Sequence, residues 1–426
     1  MRLTISQNRR YLAHEDGTPF FYLGDTAWEL FHRLNREEAD LYLEDRAAKG
    51  YTVIQAVVLA ELDGLNDPNP YGHTPLQNND PTTPNEDYFA HVDYIVNKAE
   101  SLGMFIGMLP TWGDKWNQSW GKGPEVFTPD NSRVFGEFLA KRYADKPIIW
   151  ILGGDRAVKN ETHFAIIRAM AQGIRSGGSG SHQLTTFHPQ GQQDSARYFH
   201  DDEWLDFNTY QTGHTFDRDN WRSIAELYAK TPVKPCLDSE PGYEDHPNGW
   251  KAETGWLDDY ECRKFLYWGL FAGACGHTYG CHDIWQMWQP GREPISAART
   301  PWQDAMHLPG AAQMQYGKKL LLDRPYFTRI PDQSVIVSDT YDDDLRRTHH
   351  IQATRDENGA FALVYSASGQ PFTVDMTKLS GKARAAWMDP RNGKTEPFGE
   401  FPNTGTHEFT PPSRGRGHDW VLTLDV

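Results

Sequence analysis

The sequence predicts a (β/α)8 TIM barrel, of the α/β class, followed by a C-terminal all-β sandwich domain. Apolar strand-like runs alternate with amphipathic helical runs over roughly the first 300 residues, as in a TIM barrel. From about Ser334 the runs become short and are separated by turns, as in a small sandwich. A doubly wound open sheet is the alternative, but no glycine-rich phosphate turn follows the first strand. We expect residues 1–325 to form the barrel and residues 326–426 the sandwich.

Apolar and β-branched runs predict the eight barrel strands. In chain order these runs are 20–23, 51–59, 104–109, 147–152, 183–187, 207–210, 235–237 and 274–279. Apolar residues at helical spacing predict the helices between them, at 88–102, 132–143, 164–174, 221–229 and 258–271. The first helix is predicted from Asn35 as N-cap with Glu38 three residues later, and it should end at Gly50. A connecting helix is expected at 312–322, and sandwich strands at 334–337, 361–365, 383–387 and 420–424.

The composition excludes several classes of partner. The 426 residues carry a formal net charge of −16, so the chain should repel nucleic acid and anionic membranes. No apolar run approaches the roughly 20 residues needed to span a bilayer. The first 16 residues contain no apolar signal segment, so we expect a periplasmic or secreted protein whose leader has been removed, or else a cytoplasmic one. The four cysteines are expected to be buried thiols, because their spacing fits no zinc pattern.

The active-site residues of a TIM barrel lie at the carboxyl ends of its strands. This rule selects eleven residues. They are Asp25, Trp28, Gln55, Trp112, Asp155, His188, Tyr210, Gln211, Glu240, Tyr279 and His282. We expect Asp155 and Glu240 to be catalytic and the other nine to bind substrate. No metal site and no cofactor are predicted, and no nucleophile-elbow or zinc-protease motif is present.

Asp155 and Glu240 follow the predicted fourth and seventh strands, which face each other across a barrel. Two glycines precede Asp155 and allow the backbone a sharp turn. Two carboxyl groups across the mouth could flank a sugar, as glycoside hydrolysis requires. Aromatic residues near the strand ends favour the same substrate class, because flat rings stack on sugar C–H faces. They are Trp28, Trp112, Trp116, Trp120, Tyr210, Tyr279, Trp285 and Trp288. The partner should therefore be an oligosaccharide or polysaccharide.

Three strand-end motifs together resemble glycoside hydrolase family 140. They are Gly24-Asp25-Thr26-Ala27-Trp28, Trp150-Ile151-Leu152-Gly153-Gly154-Asp155-Arg156 and Asp238-Ser239-Glu240-Pro241. The segment 386–393 is similar to the sandwich that follows the barrel in that family. The resemblance implies an apiosidase acting on the pectin rhamnogalacturonan-II by a retaining mechanism. It implies Asp155 as general acid/base and Glu240 as nucleophile.

The sequence departs from related retaining barrels at the fourth strand, where Gly154-Asp155 replaces the usual Asn-Glu pair. A sugar hydroxyl normally held by that Asn would then need another partner, for which His188 and Gln211 are candidates. Asp155 should need a raised pKa to stay protonated near neutrality. Two alternatives remain open at this stage. One is a glycosidase of the same fold with another sugar specificity, and the other is a non-catalytic carbohydrate-binding barrel.

Overall fold

A small antiparallel sheet precedes the barrel. The computed structural model describes residues 2–178, 183–338 and 348–426. The sheet contains β1 (Leu3–Ile5), β2 (Leu12–His14) and β3 (Pro19–Phe20). Its Phe20 ring packs edge-on against Phe105 of the barrel, with 5.2 Å between the ring centroids. The predicted first strand at 20–23 therefore divides into β3 and the first barrel strand.

Eight parallel strands then form a nearly closed barrel, as the sequence predicts. They are β4 (Tyr22–Thr26), β5 (Val53–Leu59), β6 (Phe105–Thr111), β7 (Ile148–Gly153), β8 (Thr185–His188), β9 (Asn208–Gln211), β10 (Cys236–Glu240) and β11 (Gly276–Tyr279). Their order around the sheet is β8-β7-β6-β5-β4-β11-β10-β9. Side-chain hydroxyls help to close the seam between β8 and β9, where Thr186 Oγ1 donates to the Phe207 carbonyl at 2.7 Å.

Helices cover the outside of the barrel, so its strands are buried on both faces and read as continuous apolar runs. In chain order the helices are α1 (Leu30–Arg33), α2 (Arg36–Ala48), α3 (Glu86–Ser101), α4 (Pro129–Arg142), α5 (Glu161–Gly177), α6 (Ala196–Phe199), α7 (Asn220–Ala229), α8 (Asp259–Phe271), α9 (His282–Trp285), α10 (Trp302–Ala305) and α11 (Pro309–Leu322). The predicted cap of α2 is present. Asn35 Oδ1 accepts from the Glu38 amide at 2.9 Å, and Glu38 Oε2 accepts from the Asn35 amide at 2.9 Å.

Antiparallel sheets form the C-terminal sandwich. Its strands are β12 (Arg329–Pro331), β13 (Ile351–Asp356), β14 (Phe361–Ser366), β15 (Phe372–Asp375), β16 (Ala383–Met388), β17 (Thr395–Phe401), β18 (Thr406–Phe409) and β19 (Trp420–Asp425). One sheet has the order β12-β13-β14-β19-β16-β17, and β15 pairs with β18. The strand predicted at 334–337 is wrong. Asp332 caps a single 3-10 turn there, and Ile336 keeps only one bridge, to Val374.

Helix α8 joins the two parts of the molecule. It is buried along nearly its whole length because the barrel covers one side and the sandwich the other. The Arg263 guanidinium of α8 pairs with Asp419, with 3.0 Å between Nη2 and Oδ1, and both side chains are almost fully buried. The Trp268 indole donates to the His350 carbonyl at 3.0 Å. These contacts fix the sandwich against the outside of the barrel, away from the strand ends that carry the candidate site.

No helix among the described residues is long and apolar enough to cross a membrane.

Candidate active site

A cavity of about 730 Å³ opens at the carboxyl ends of the barrel strands. Its walls include Trp28, Trp112, Asp155, Gln211 and Glu240, five of the eleven residues selected from the sequence. The volume lies in the range of pockets that enclose a small ligand. The two carboxyl groups therefore face the same solvent-connected space.

Backbone geometry after β7 places Asp155 in this cavity. Gly153 and Gly154 have φ angles of 99° and 104°, which strongly favour glycine. A Cβ atom on Gly153 would lie 2.5 Å from the His188 carbonyl oxygen. Asp155 itself has a φ of 50°, an uncommon conformation for a residue with a side chain. The double-glycine turn thus lets the chain pass against β8 and present the carboxyl group to the cavity.

The Asp155 carboxyl group is held toward its protonated form. Burial and the nearby negative charge of Glu240 raise its pKa to about 6, against the opposing effects of Arg156 and His188. Arg156 Nη1 lies 3.6 Å from Asp155 Oδ2, too far for a hydrogen bond. The carboxyl group keeps 22% of its side-chain surface exposed and can therefore reach a ligand.

Glu240, at the end of β10, is held toward its ionised form. Burial alone would raise its pKa, but two histidines more than reverse this effect and bring the pKa well below its usual range. His188 Nε2 lies 2.7 Å from Oε2, and His214 Nε2 lies 3.2 Å from Oε1. Each carboxylate oxygen thus accepts one imidazole N–H. On the other side of the ring, His188 Nδ1 lies 3.3 Å from the Ser239 hydroxyl, which donates to the Tyr210 carbonyl at 3.2 Å.

The cavity therefore contains one carboxyl group with a raised pKa and one with a lowered pKa. Groups whose environments separate their pKa values in this way suit an acid and a base or nucleophile. The arrangement can donate a proton from Asp155 and offer an anionic oxygen from Glu240.

Aromatic side chains form the cavity walls around this pair. The Trp28 ring lies 5.1 Å from Trp112 and 5.4 Å from His188, measured between centroids. Tyr243 and Trp285 complete the buried part of the wall. Burial and the Glu240 charge raise the pKa of the Tyr243 hydroxyl, which keeps it protonated beside the carboxylate.

A second polar cluster beside the cavity consists of Glu61, Arg156 and Trp120. The buried Arg156 guanidinium donates to the Trp120 carbonyl at 2.7 Å and to the Asp155 carbonyl at 2.8 Å. Its Nη2 lies 3.7 Å from Glu61 Oε1. Burial raises the pKa of Glu61 to about 8, against the opposing charge of Arg156. Burial thus favours the protonated form of Glu61 at the cavity wall.

Two predicted binding residues lie away from the cavity surface. The Asp25 carboxylate is fully buried and accepts from the Tyr42 hydroxyl at 2.6 Å and from Arg46 Nε. Gln55 is also fully buried, and its amide donates to the Ser239 carbonyl at 3.0 Å. Both side chains hold barrel elements together, so these contacts leave neither free to reach a substrate.

Three more predicted residues have structural partners instead of a place on the wall. Tyr210 points out of the barrel and packs near Ile224 and Leu227, because side chains alternate along β9 and its neighbour Gln211 points inward. The Tyr279 hydroxyl donates to buried Glu244 at 2.5 Å. His282 is fully buried with Nε2 3.0 Å from the Ile295 carbonyl. His188 acts differently again, since it contacts Glu240 directly.

Of the other aromatic residues singled out in the sequence, the structure brings Trp120 and Trp285 to the cavity. Trp116 is buried and donates to the Gly153 carbonyl at 3.2 Å, and Trp288 donates to the Arg292 carbonyl at 3.1 Å.

Sequence reasoning missed His214, Tyr243 and Glu61. His214 and Tyr243 each lie three residues beyond a strand-end residue, Gln211 and Glu240 respectively. Extending the strand-end rule into the first turn of each loop would have found all three.

Among the described residues, no group of three His, Cys, Asp or Glu side chains is arranged to hold a metal ion. All four cysteines are free and buried.

Comparison with known proteins identifies the class of this barrel. Residues 6–328 match the family described as apiosidase-like, catalytic domain. Residues 330–425 match a family named for a proposed collagen-binding domain of a collagenase. No protein among those with curated descriptions matches the chain.

Solved structures agree with the family match. A family 5 glycoside hydrolase from Bacteroides vulgatus is 37% identical, with a TM-score of 0.90 over 100% of this chain and 93% of its own. A second structure, named only as a glycoside hydrolase, is also 37% identical, with a TM-score of 0.90 over 100% and 96%. A Streptomyces cattleya family 5 enzyme in complex with GlcNAc shares the fold alone, at 14% identity and a TM-score of 0.51 over 72% of this chain and 81% of its own. The chain therefore belongs to the apiosidase-like family of glycoside hydrolases.

Proposed function

We propose that this chain is a retaining apiosidase that cleaves apiose-linked units of pectin, with Asp155 as general acid/base and Glu240 as nucleophile. One observation carries the assignment of the pair. Two carboxyl groups share one cavity, and their surroundings shift their pKa values in opposite directions. The resemblance to family 140 supports the choice of apiose.

In the first step Glu240 Oε attacks the anomeric carbon of the bound sugar. The glycosidic C–O bond breaks, and Asp155 gives its proton to the departing oxygen. In the second step Asp155, now ionised, takes a proton from water. The water oxygen attacks the anomeric carbon, the ester to Glu240 breaks, and the carboxylate is restored. The sugar leaves with its original anomeric configuration.

The electrostatic coupling of the pair fits this exchange of roles. The Glu240 charge raises the pKa of Asp155 in the free enzyme. Esterification of Glu240 removes that charge, so the pKa of Asp155 should fall and favour its action as a base in the second step. His188 and His214 hold the carboxylate oxygens and would stabilise Glu240 as it leaves.

The assignment is tested with Glu240→Gln and Asp155→Asn. Both should lose at least about a thousandfold in kcat/KM on an apioside, because each removes one of the two acting groups. Glu253→Gln is the matched control, since Glu253 is exposed in the loop after β10 and outside the cavity. Glu240→Gln with wild-type activity would exclude it as nucleophile.

Product stereochemistry tests the retaining mechanism separately. Proton NMR of the first-formed sugar should show the configuration of the substrate. A retaining enzyme also requires carboxyl oxygens about 5–5.5 Å apart in a crystal structure, whereas about 9 Å would indicate inversion. Rates of hydrolysis of a panel of glycosides test the sugar specificity. Faster hydrolysis of another glycoside than of the apioside would show that apiose is not the preferred sugar.

A further inference from the structure

Two tryptophans at the cavity rim are exposed. Trp120 keeps 43% of its surface accessible and Trp250 keeps 49%, and both line the cavity. All fifteen tryptophans lie in the part of the chain that the structure describes, and the other thirteen are buried or half-buried. An exposed indole forgoes the free energy that burial of its apolar surface would contribute. Exposed apolar groups at a cleft commonly mark a binding surface.

The two indoles belong to opposite sides of the barrel mouth. Trp120 lies in the loop after β6, the third barrel strand, and Trp250 in the loop after β10, the seventh. Strands four positions apart in an eight-stranded barrel face each other. The proposed catalytic pair follows the fourth and seventh strands and lines the same cavity, so a ligand that reaches from one indole to the other shares this cavity with the pair.

Arg156 holds Trp120 in place on one side of its ring. The Arg156 guanidinium lies 3.8 Å from the centre of its ring and also binds its carbonyl oxygen. Arg156 is itself fully buried. The covered side of the indole therefore packs against a buried guanidinium, and the remaining area is exposed at the rim.

Trp250 is fixed by imidazoles and by its backbone. Its ring stands edge-on to His246, with 4.5 Å between centroids, and His246 stacks on His214 at 4.2 Å. The Trp250 φ angle is 68°, a strained conformation for a bulky residue. The fold thus holds this indole out at the rim at a cost in backbone energy, and His214 connects the same stack to Glu240.

Polar groups of the same cavity match a sugar better than an apolar ligand. The cavity wall also includes Lys122, Gln192 and Arg218. Sugar rings offer C–H faces to indoles and hydroxyls to such donors and acceptors.

We propose that Trp120 and Trp250 are stacking platforms for sugar units beyond the one held at Asp155 and Glu240. The substrate is then an oligosaccharide that extends across the barrel mouth. This inference rests on the proposed function for the position of the cleaved sugar, but the platforms can be tested by binding alone.

The experiment compares Trp120→Ala and Trp250→Ala with the wild-type protein on two substrates. One is methyl apioside, which offers a single sugar. The other is a set of rhamnogalacturonan-II oligosaccharides. Each variant should lose about tenfold in kcat/KM on the oligosaccharides and clearly less on the methyl glycoside, because a tenfold loss corresponds to about 1.4 kcal/mol, which is within the range of one aromatic stacking contact. Trp120→Phe and Trp250→Phe should recover part of the loss.

Phe398→Ala is the matched control, because Phe398 is 44% exposed on the distant sandwich. Equal losses on both substrates, or no loss on the oligosaccharides, would overturn the platform proposal.

Calorimetric binding of the same oligosaccharides tests the platform proposal separately from the proposed apiosidase activity. Binding that weakens in the tryptophan variants, in a protein that hydrolyses no apioside, supports the platforms and rejects the apiosidase activity. If the wild-type protein binds none of these oligosaccharides, the platform proposal is wrong.

Discussion

His188 Nε2 lies 2.7 Å from Glu240 Oε2, so the end of the fifth barrel strand holds the carboxylate at the end of the seventh. The sequence predicts His188 as a sugar ligand. Its contact with Glu240 also lets it position the proposed nucleophile. Both side chains are almost fully buried, which strengthens the hydrogen bond between them.

Replacement of His188 by Asn should raise the pKa of Glu240 toward its ordinary value, because a donor that favours the ionised form is lost. The acidic limb of the kcat/KM profile should move upward by at least about one pH unit, and kcat should fall about 10- to 100-fold. His214→Asn is the comparison, since its contact with Glu240 is longer, at 3.2 Å. A smaller shift is expected there. An unchanged acidic limb in His188→Asn would show that another group fixes the ionisation of Glu240.

The wild-type enzyme should work best on the acidic side of neutrality. The proposed mechanism needs ionised Glu240 and protonated Asp155, and the pKa of Asp155 is raised only to about 6. We therefore expect kcat/KM to fall about tenfold per pH unit well above pH 6. Rates on an apioside between pH 4 and pH 9 test this. Activity that stays constant up to pH 8 would contradict Asp155 as the acid.

Gly153→Ala should lower both stability and activity. The substitution meets a φ of 99° and places Cβ 2.5 Å from the His188 carbonyl, which is backbone and cannot turn aside. We expect a loss of more than about 1 kcal/mol and a displaced Asp155. Gly103→Ala separates strain from collision, because Gly103 has a φ of 77° but no atom within 4 Å of the added Cβ. Urea unfolding and kcat/KM of both variants measure the difference, and equal effects would rule out the collision.

Most of the barrel could be predicted because its strands are buried on both faces and form continuous apolar runs, as in β7. The same signal located the strand ends, and with them the glycines that present Asp155. The apolar pattern could not show which side chains at the strand ends point into the barrel and which point out of it. Tyr210 and Gln211 are adjacent, and only the register of β9 decides that Gln211 reaches the cavity.

Contacts between residues that are distant in the chain could not be predicted from the sequence either. Asp25 lies near a strand end like the proposed catalytic residues, but Arg46 of α2 binds it inside the barrel wall. His214 reaches Glu240 only because the loop after β9 folds back over the strand ends. In the sandwich, the apolar run at 334–337 resembled a strand, yet the Asp332 cap turns the chain there. Local composition cannot distinguish these cases, since each depends on a residue distant in the chain or on a competing side-chain hydrogen bond.

Asp25→Asn should destabilise the fold without weakening substrate binding. The substitution leaves the fully buried Arg46 guanidinium without its main counter-charge, a loss of about 3–5 kcal/mol in comparable buried pairs. KM of the folded variant should match that of the wild type, because Asp25 does not line the cavity. Asp16→Asn, at an exposed position, is the control and should change neither quantity. A raised KM with unchanged urea unfolding would restore Asp25 as a binding residue.

The buried Glu244 carboxyl group should make the fold less stable as pH rises. Burial raises its pKa to about 7, although the Tyr279 hydroxyl and the Gly310 amide donate to it. Because the folded pKa exceeds the unfolded value, the native state binds the extra proton. The contribution of Glu244 is thus complete below about pH 4.5 and is lost as the pH rises through about 7. The shift corresponds to about 3 kcal/mol. Glu244→Gln cannot ionise, so the decline in Tm between pH 5 and pH 8 should be smaller in this variant than in the wild type. Parallel Tm profiles for the two proteins would assign the decline to other buried acids, such as Asp238, whose pKa burial raises to about 6.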